Sequence, residues 1–275
     1  MPNNKIIIYD DSCPLCAAYT KGFVSAGLID KENRKNFTTI DPDLLALLDQ
    51  QRCPNEIPVI DFDSKEVLYG IDAITSILQT RIPAIKELVK LKCIKWPLDK
   101  LYKLISYNRR VIVASKMTRG NFDCTPDFNY KYRLAFMAIF LVFNTIMLFP
   151  IQFYILQNSF SSVTAKELQI AHLALVTVNI IIACCLNKKT AFEYLGQVNM
   201  LALITILATL PLLLLNKYKW IPGIAINNIY LCPLIFFVFK GYKRRMDFAG
   251  IAKQYPIIYF INIIGICGFV LFLIL

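Results

Sequence analysis

Tyr9-Asp10-Asp11-Ser12-Cys13-Pro14-Leu15-Cys16 sets two thiols three residues apart, immediately after the apolar run Ile6 to Ile8. That is the layout of a redox dithiol. A strand that feeds the first cysteine onto the start of a helix leaves its sulfur among main-chain N–H groups that have no carbonyl partner, where a thiolate is favoured. Pro14 suits the first helical position, since its φ is preset and the N–H it lacks would be unpartnered there. Cys13 is therefore expected as the N-cap and Cys16 one turn inward, within disulfide reach.

A C-x-x-C pair also serves as half of a zinc site, which needs a second pair of ligands. The other cysteines, at 53, 93, 124, 184, 185, 232 and 267, form no second such pair, and the single histidine, His172, lies inside a long apolar segment. The expectation is no metal and no cofactor. Nine cysteines, an odd number spread over the whole chain, also make a poor disulfide framework.

The rest of the chain says where the dithiol works. Its 275 residues are 56% hydrophobic with a net charge of +11, a combination that fits a membrane protein with basic flanks. Apolar stretches run from Leu134 to Leu156, Leu168 to Leu186, Leu195 to Asn216, Ile221 to Phe239 and Pro256 to Leu275. Each approaches the ~20 residues that cross a bilayer as helix. Lys and Arg resist translocation and mark cytoplasmic connectors. With the N-terminus inside, eleven of them flank the inner ends, among them Lys131, Arg133, Lys188, Lys189, Lys243 and Arg244. Only Lys166, Lys217 and Lys219 flank the outer ends. The prediction is a multi-pass protein of the cell membrane with five spans, a cytoplasmic N-terminal domain and an outer C-terminus. No charged n-region with a short apolar core and a cleavage site opens the chain, so the dithiol is expected to face the reducing cytoplasm.

Residues 1–82 read as an alternating α/β unit. Strands are predicted at Lys5 to Tyr9, Asn36 to Ile40, Pro58 to Phe62 and Glu66 to Tyr69, and helices from Pro14, from Pro42 behind an Asp41 cap, and over Ile71 to Gln79 after Gly70. The order β-α-β-α-β-β-α is that of a thioredoxin-like layer, so the fold class is a thioredoxin-like α/β domain followed by an all-α bundle of five membrane helices. Residues 83–133 form basic amphipathic helices and a linker, and 134–275 the membrane domain. In a thioredoxin-like fold the proline before the third strand faces the dithiol, is commonly cis, and leaves a backbone edge open for a partner polypeptide. Pro58, in Glu56-Ile57-Pro58-Val59-Ile60, is in the right place; the equal alternative is a proline at a strand's first position, ordinary in any sheet, and the site-facing reading makes Ile57, Pro58 and Pro14 the substrate-binding candidates.

These residues resemble the DCC thiol-disulfide oxidoreductase-like family, named for an Asp-x-x-Cys-x-x-Cys motif that here is Asp10 to Cys16. The similarity continues through Tyr69-Gly70-Ile71-Asp72-Ala73-Ile74 and from Trp96-Pro97-Leu98 to Asn108-Arg109, covering about the first 115 residues. Asp11 departs from the glycine frequent there and adds a second carboxylate beside Cys13. The resemblance implies attack by the Cys13 thiolate on a disulfide, with Cys16 resolving the mixed disulfide, and a disulfide-bearing protein or small thiol as partner. Asp10 is the candidate base for the Cys16 proton; the equal alternative is a carboxylate that accepts main-chain N–H bonds near the helix start. Cys53 reads as a small loop residue and Asp72 as a helix cap.

Lys86 to Arg110 carries eight basic residues against Glu87 and Asp99, interleaved with Leu88, Leu91, Trp96, Leu101 and Ile105, and Pro97 is expected to break it into two helices. A basic face opposite an apolar one suits an anionic lipid surface, and with membrane spans adjoining there is no call on nucleic acid as partner. Arg119 to Tyr132, with Cys124, reads as a juxtamembrane linker. No Asp, Glu, Lys or Arg sits at the centre of a span, which argues against an ion-coupled transporter. Asn144, Asn179, Asn199 and Asn262 read as interhelical hydrogen-bonding residues. Cys232 and Cys267, near mid-span on different helices, are candidates for a relay of reducing equivalents. Three readings stay open: a dithiol oxidoreductase, a non-enzymatic membrane module that binds a partner along the Pro58 edge, and a transmembrane electron conduit.

Overall fold

A computed structural model describes residues 4–114, 124–159, 161–220 and 224–274. The chain divides into two compact units, Met1–Arg133 and Leu134–Leu275. Residues 83–133, distinct from the domain in composition, fall within the first unit. Positions 115–123, including the inner-flank Lys116 and Arg119 and the start of the Arg119 to Tyr132 segment, lie outside the described residues, as does Ile221, the expected start of the fourth span.

The first unit is built on four strands, β1 (Lys5–Tyr9), β2 (Arg34–Asn36), β3 (Pro58–Asp61) and β4 (Glu66–Tyr69). They lie in the order β2-β1-β3-β4, with β1 parallel to β2 and antiparallel to β3, and β3 antiparallel to β4. This is the thioredoxin-like arrangement. Successive strand residues face opposite ways, and the sheet is covered on both sides. Ile7 packs with Ile57, Val59, Ala73 and Ile77 on one face, and Ile8 with Phe37, Leu48, Ile60 and Tyr69 on the other. Ile7 and Ile8 are both fully buried, so β1 reads as an apolar run rather than an alternation.

The second strand comes earlier than the Asn36 to Ile40 expected. Asn36 is its end, because its side-chain carbonyl accepts from the Thr39 main-chain N–H (2.7 Å) and hydroxyl (2.7 Å) and turns the chain. Helices α1 (Pro14–Ser25), α2 (Pro42–Ala46) and α3 (Gly70–Leu78) start within a residue of their predicted positions. Asp72 does not cap α3, whose N-cap is Tyr69; it sits in the first turn and pairs with Lys95 at 2.7 Å.

Two further helices follow, α4 (Ala84–Lys90) and α5 (Lys92–Ile112). The break between them falls at Leu91, whose ψ of 117° is extended, and not at Pro97, which lies inside α5. A single proline removes one i→i−4 bond near the start of a long helix, and the later turns remain intact. One face of α5 packs on the sheet domain. Outside that face Leu88, Leu91, Trp96, Leu101 and Ile105 are exposed among the lysines.

The second unit contains helices long and apolar enough to cross a membrane: α6 (Tyr130–Tyr154, entered from the first unit), α7 (Ala165–Cys184), α8 (Lys188–Lys217), α9 (Ile224–Phe248) and, after the short α10 (Ile251–Gln254), α11 (Pro256–Ile274). They are consistent with a multi-pass membrane protein. Thr164 and Glu167 form a reciprocal cap at the start of α7. Helix α9 outruns its apolar stretch because Tyr242, Arg245 and Met246 bury one face of its basic end, leaving Lys243 and Arg244 exposed. The asparagines do join helices: Asn144 donates to Asn199 (3.0 Å), and Tyr194 connects Asn179 to Asn262.

Gly70 opens α3 at φ +61°, and a Cβ there would lie 3.2 Å from the Tyr102 ring. Gly70→Ala is expected to destabilise the protein by ~1–3 kcal/mol through left-handed strain and displacement of that ring. Denaturant unfolding of the full chain followed by circular dichroism checks it; an unchanged midpoint would refute the close packing of Tyr102 on α3.

Candidate active site

The end of β1 delivers Asp10, and a two-residue turn carries the chain into α1. The turn is closed by the Cys13 N–H, which donates to the Asp10 carbonyl at 3.2 Å. Cys13 has extended backbone angles (φ −102°, ψ 105°) and caps α1, with Pro14 at the first helical position. Its Sγ accepts the Cys16 main-chain N–H at 3.4 Å. A cysteine sulfur thus does what a serine or aspartate oxygen does at other helix starts. Both cysteines are free thiols, and both are buried.

The two sulfurs are driven apart in acidity. A hydrogen bond from the Cys16 thiol pulls the Cys13 pKa down to about 6 against the opposing effect of burial, helped by the Cys16 main-chain N–H and the Arg109 guanidinium; Asp10 works the other way. The same thiol–thiol hydrogen bond, with burial added, pushes Cys16 well above the usual thiol range. The geometry favours the thiolate on Cys13. Cys16 holds its proton.

Asp10 and Arg109 form a buried ion pair, with Arg109 Nη2 3.2 Å from Asp10 Oδ2 and each side chain less than 10% exposed. The other carboxylate oxygen of Asp10 accepts the Ser12 main-chain N–H at 3.0 Å and the Ser12 hydroxyl. Arg109 Nη2 also donates to the Cys124 carbonyl, while its Nε, buried, has no hydrogen-bond acceptor among the described residues. Asp11, on the exposed side of the turn, accepts from the Thr38 hydroxyl at 2.8 Å.

Arg109 reaches the site from α5 on a face shared with Tyr102 and Ser106, at i, i+4 and i+7. Tyr102 Oη accepts the Ile57 main-chain N–H at 2.8 Å, and the Ser106 hydroxyl donates to the Asn55 carbonyl. Burial pushes the Tyr102 hydroxyl above its ordinary range, and the charges of Arg109 and Cys16 act on it. Neither Arg109 nor Tyr102 stood among the sequence candidates. The available signal was three polar side chains in helical phase inside an amphipathic segment whose basic residues otherwise face water.

Of the sequence candidates, Asp10, Cys13, Pro14 and Cys16 are together in one turn. Pro58 begins β3, buried, paired with Tyr69 of β4. Its peptide bond is trans, so of the two readings the cis one is not realised, and β3 is an interior strand, paired with β1 and β4. Ile57 is buried, its N–H taken by Tyr102 and its carbonyl by the Gly70 N–H at 3.0 Å. Cys53 and Cys124 are buried in the sheet core, where desolvation pushes Cys53 up to about 12 and raises Cys124. Cys232 and Cys267 are exposed on α9 and α11 of the second unit. Among the described residues no group of three or more His, Cys, Asp or Glu side chains is placed to hold a metal ion.

Residues 7–114 match the model of the DCC1-like thiol-disulfide oxidoreductase family. The match takes in the Asp10 to Cys16 motif, Ile57, Pro58, Tyr102 and Arg109, and it ends before Cys124 and the membrane helices. No curated protein and no solved structure matches the chain.

Alkylation of Cys13 by iodoacetamide, followed site by site by mass mapping, should rise with pH through a midpoint of about 6. Arg109→Met should move that midpoint upward and, by stranding a buried carboxylate, cost ~3–5 kcal/mol of stability. A midpoint unmoved in a folded Arg109→Met protein would remove Arg109 from the control of Cys13.

Proposed function

We propose that the chain is a membrane-borne thiol-disulfide oxidoreductase in which Cys13 attacks a disulfide and Cys16 resolves the intermediate. The observation that carries the reading is the Cys13 sulfur at the α1 N-terminus, accepting the Cys16 N–H at 3.4 Å beside the Arg109 charge. The thiolate displaces one sulfur of the substrate, forming a Cys13–substrate disulfide and releasing a thiolate that takes up a proton from water. Cys16 then attacks Cys13, its proton passes to the departing sulfur, and the dithiol ends as a disulfide while the substrate has gained two electrons. Asp10, with its oxygens held by Ser12 and Arg109, is assigned the task of orienting Arg109 and the turn.

Cys16→Ser should trap a mixed disulfide on Cys13, and Cys13→Ser should trap none. Redox titration of the pair in membranes should give a potential within the cytosolic glutathione range, ~−220 to −320 mV. No adduct on Cys13 in Cys16→Ser at pH 8 would leave the domain a non-enzymatic module.

The excess of Lys and Arg on one set of helix ends supports placing the dithiol in the cytoplasm. Cys93, exposed on α5, then reports the side. In intact cells it should react with a membrane-permeant maleimide and resist an impermeant one; labelling by the impermeant reagent would reverse the orientation.

A further inference from the structure

A disulfide-bearing polypeptide docks on a thiol enzyme most simply as an added strand, through main-chain N–H and C=O groups left open beside the sulfur. On the approach to β3 most of those groups are spent, the Glu56 carbonyl excepted. The Ile57 N–H goes to Tyr102 Oη at 2.8 Å and the Ile57 carbonyl to the Gly70 N–H at 3.0 Å. Just upstream the Asn55 carbonyl accepts the Ser106 hydroxyl, and the Asn55 and Glu56 N–H groups go to the Arg52 carbonyl at 2.9 and 2.8 Å. Downstream, all of β3 is paired on β4. The Tyr102 oxygen receives Ile57 as a substrate carbonyl would.

The ring is seated for that task. Gly70 leaves room where a Cβ would stand 3.2 Å from it, and Arg109, two turns further along α5, is locked to Asp10. What remains open at the dithiol is small, with Cys13 8% and Cys16 5% exposed.

Resting on the oxidoreductase reading, we infer that this site reduces low-molecular-weight disulfides and excludes extended polypeptides, and that Tyr102 is the residue that sets this choice. The reaction is R–S–S–R plus the Cys13/Cys16 dithiol giving two R–SH and the Cys13–Cys16 disulfide, with the protein's own thiols as reductant.

The test uses the full chain with Cys16→Ser, reduced and in detergent. Two probes are compared, bis(2-hydroxyethyl) disulfide and the disulfide-linked dimer of a linear ten-residue peptide with a central cysteine. Adducts on Cys13 are timed by mass mapping, each rate divided by that of the probe with a free model thiol. Hydrogen exchange of the Ile57 amide is followed in parallel. The small probe should be favoured at least tenfold, with the Ile57 amide protected. Tyr102→Ala should cut the preference below threefold and release the amide; Tyr102→Phe, which keeps the ring and loses the acceptor, should release the amide and lower the preference in part. Equal normalised rates in the Tyr102 protein, or a preference unchanged once the Ile57 amide exchanges freely, would overturn the inference and leave the oxidoreductase reading standing. No Cys13 adduct with either probe would overturn both.

Discussion

The ion pair between Asp10 and Arg109 ties the first strand to the last helix of the domain, across 99 residues of sequence and with both side chains buried. Taking two such charges out of water costs several kcal/mol per ion, and their attraction repays that only when the remaining hydrogen-bonding groups are also met. On the carboxylate side they are met by Ser12. On the guanidinium side the Cys124 carbonyl takes one bond, Nε is left without an acceptor among the described residues, and the dithiol, when it ionises, supplies further negative charge that acts on Arg109. The pair is thus better understood as fixing a geometry around the sulfurs than as a source of stability.

Within that geometry the division of labour between the thiols follows from one hydrogen bond. A proton on Cys16 that bonds to the Cys13 sulfur stabilises charge on the first and opposes it on the second, and the Cys16 N–H at the helix start reinforces the same sense. Burial raises both. Asp10 opposes both, and Arg109 compensates for it. The second carboxylate, Asp11, is turned to Thr38 and solvent, where water screens it.

What could be read from the sequence was whatever depends on neighbours in the chain. Pro14 behind Cys13, the apolar run before them and the five long apolar stretches each dictate local structure, and the first strand, the cap at Cys13 and the long apolar helices appear where those signals lie. The misreadings share a different cause. Pro97 signals a break by itself, but the break goes to Leu91, between two helices that pack on α3. Ile40 has the composition of a strand, but the Asn36 side chain turns the chain first. Pro58 has the position of a site-facing cis proline, but its bond is trans and the approach to it is filled from residue 102. Arg109 looked like one more basic residue on an amphipathic helix, and only the fold shows it turned inward onto residue 10.

Tyr102, Ser106 and Arg109 are on one face of one unbroken helix, so their contacts are mechanically joined. A rotation of α5 large enough to free the Ile57 N–H also carries Arg109 off Asp10, since successive residues on a helix turn together by a fixed angle. Making room for a polypeptide strand would therefore withdraw the positive charge that favours the Cys13 thiolate at the moment it is needed. The closed edge and the acidic thiol are two readouts of a single docked helix, and a substrate that leaves the helix in place meets the more reactive sulfur.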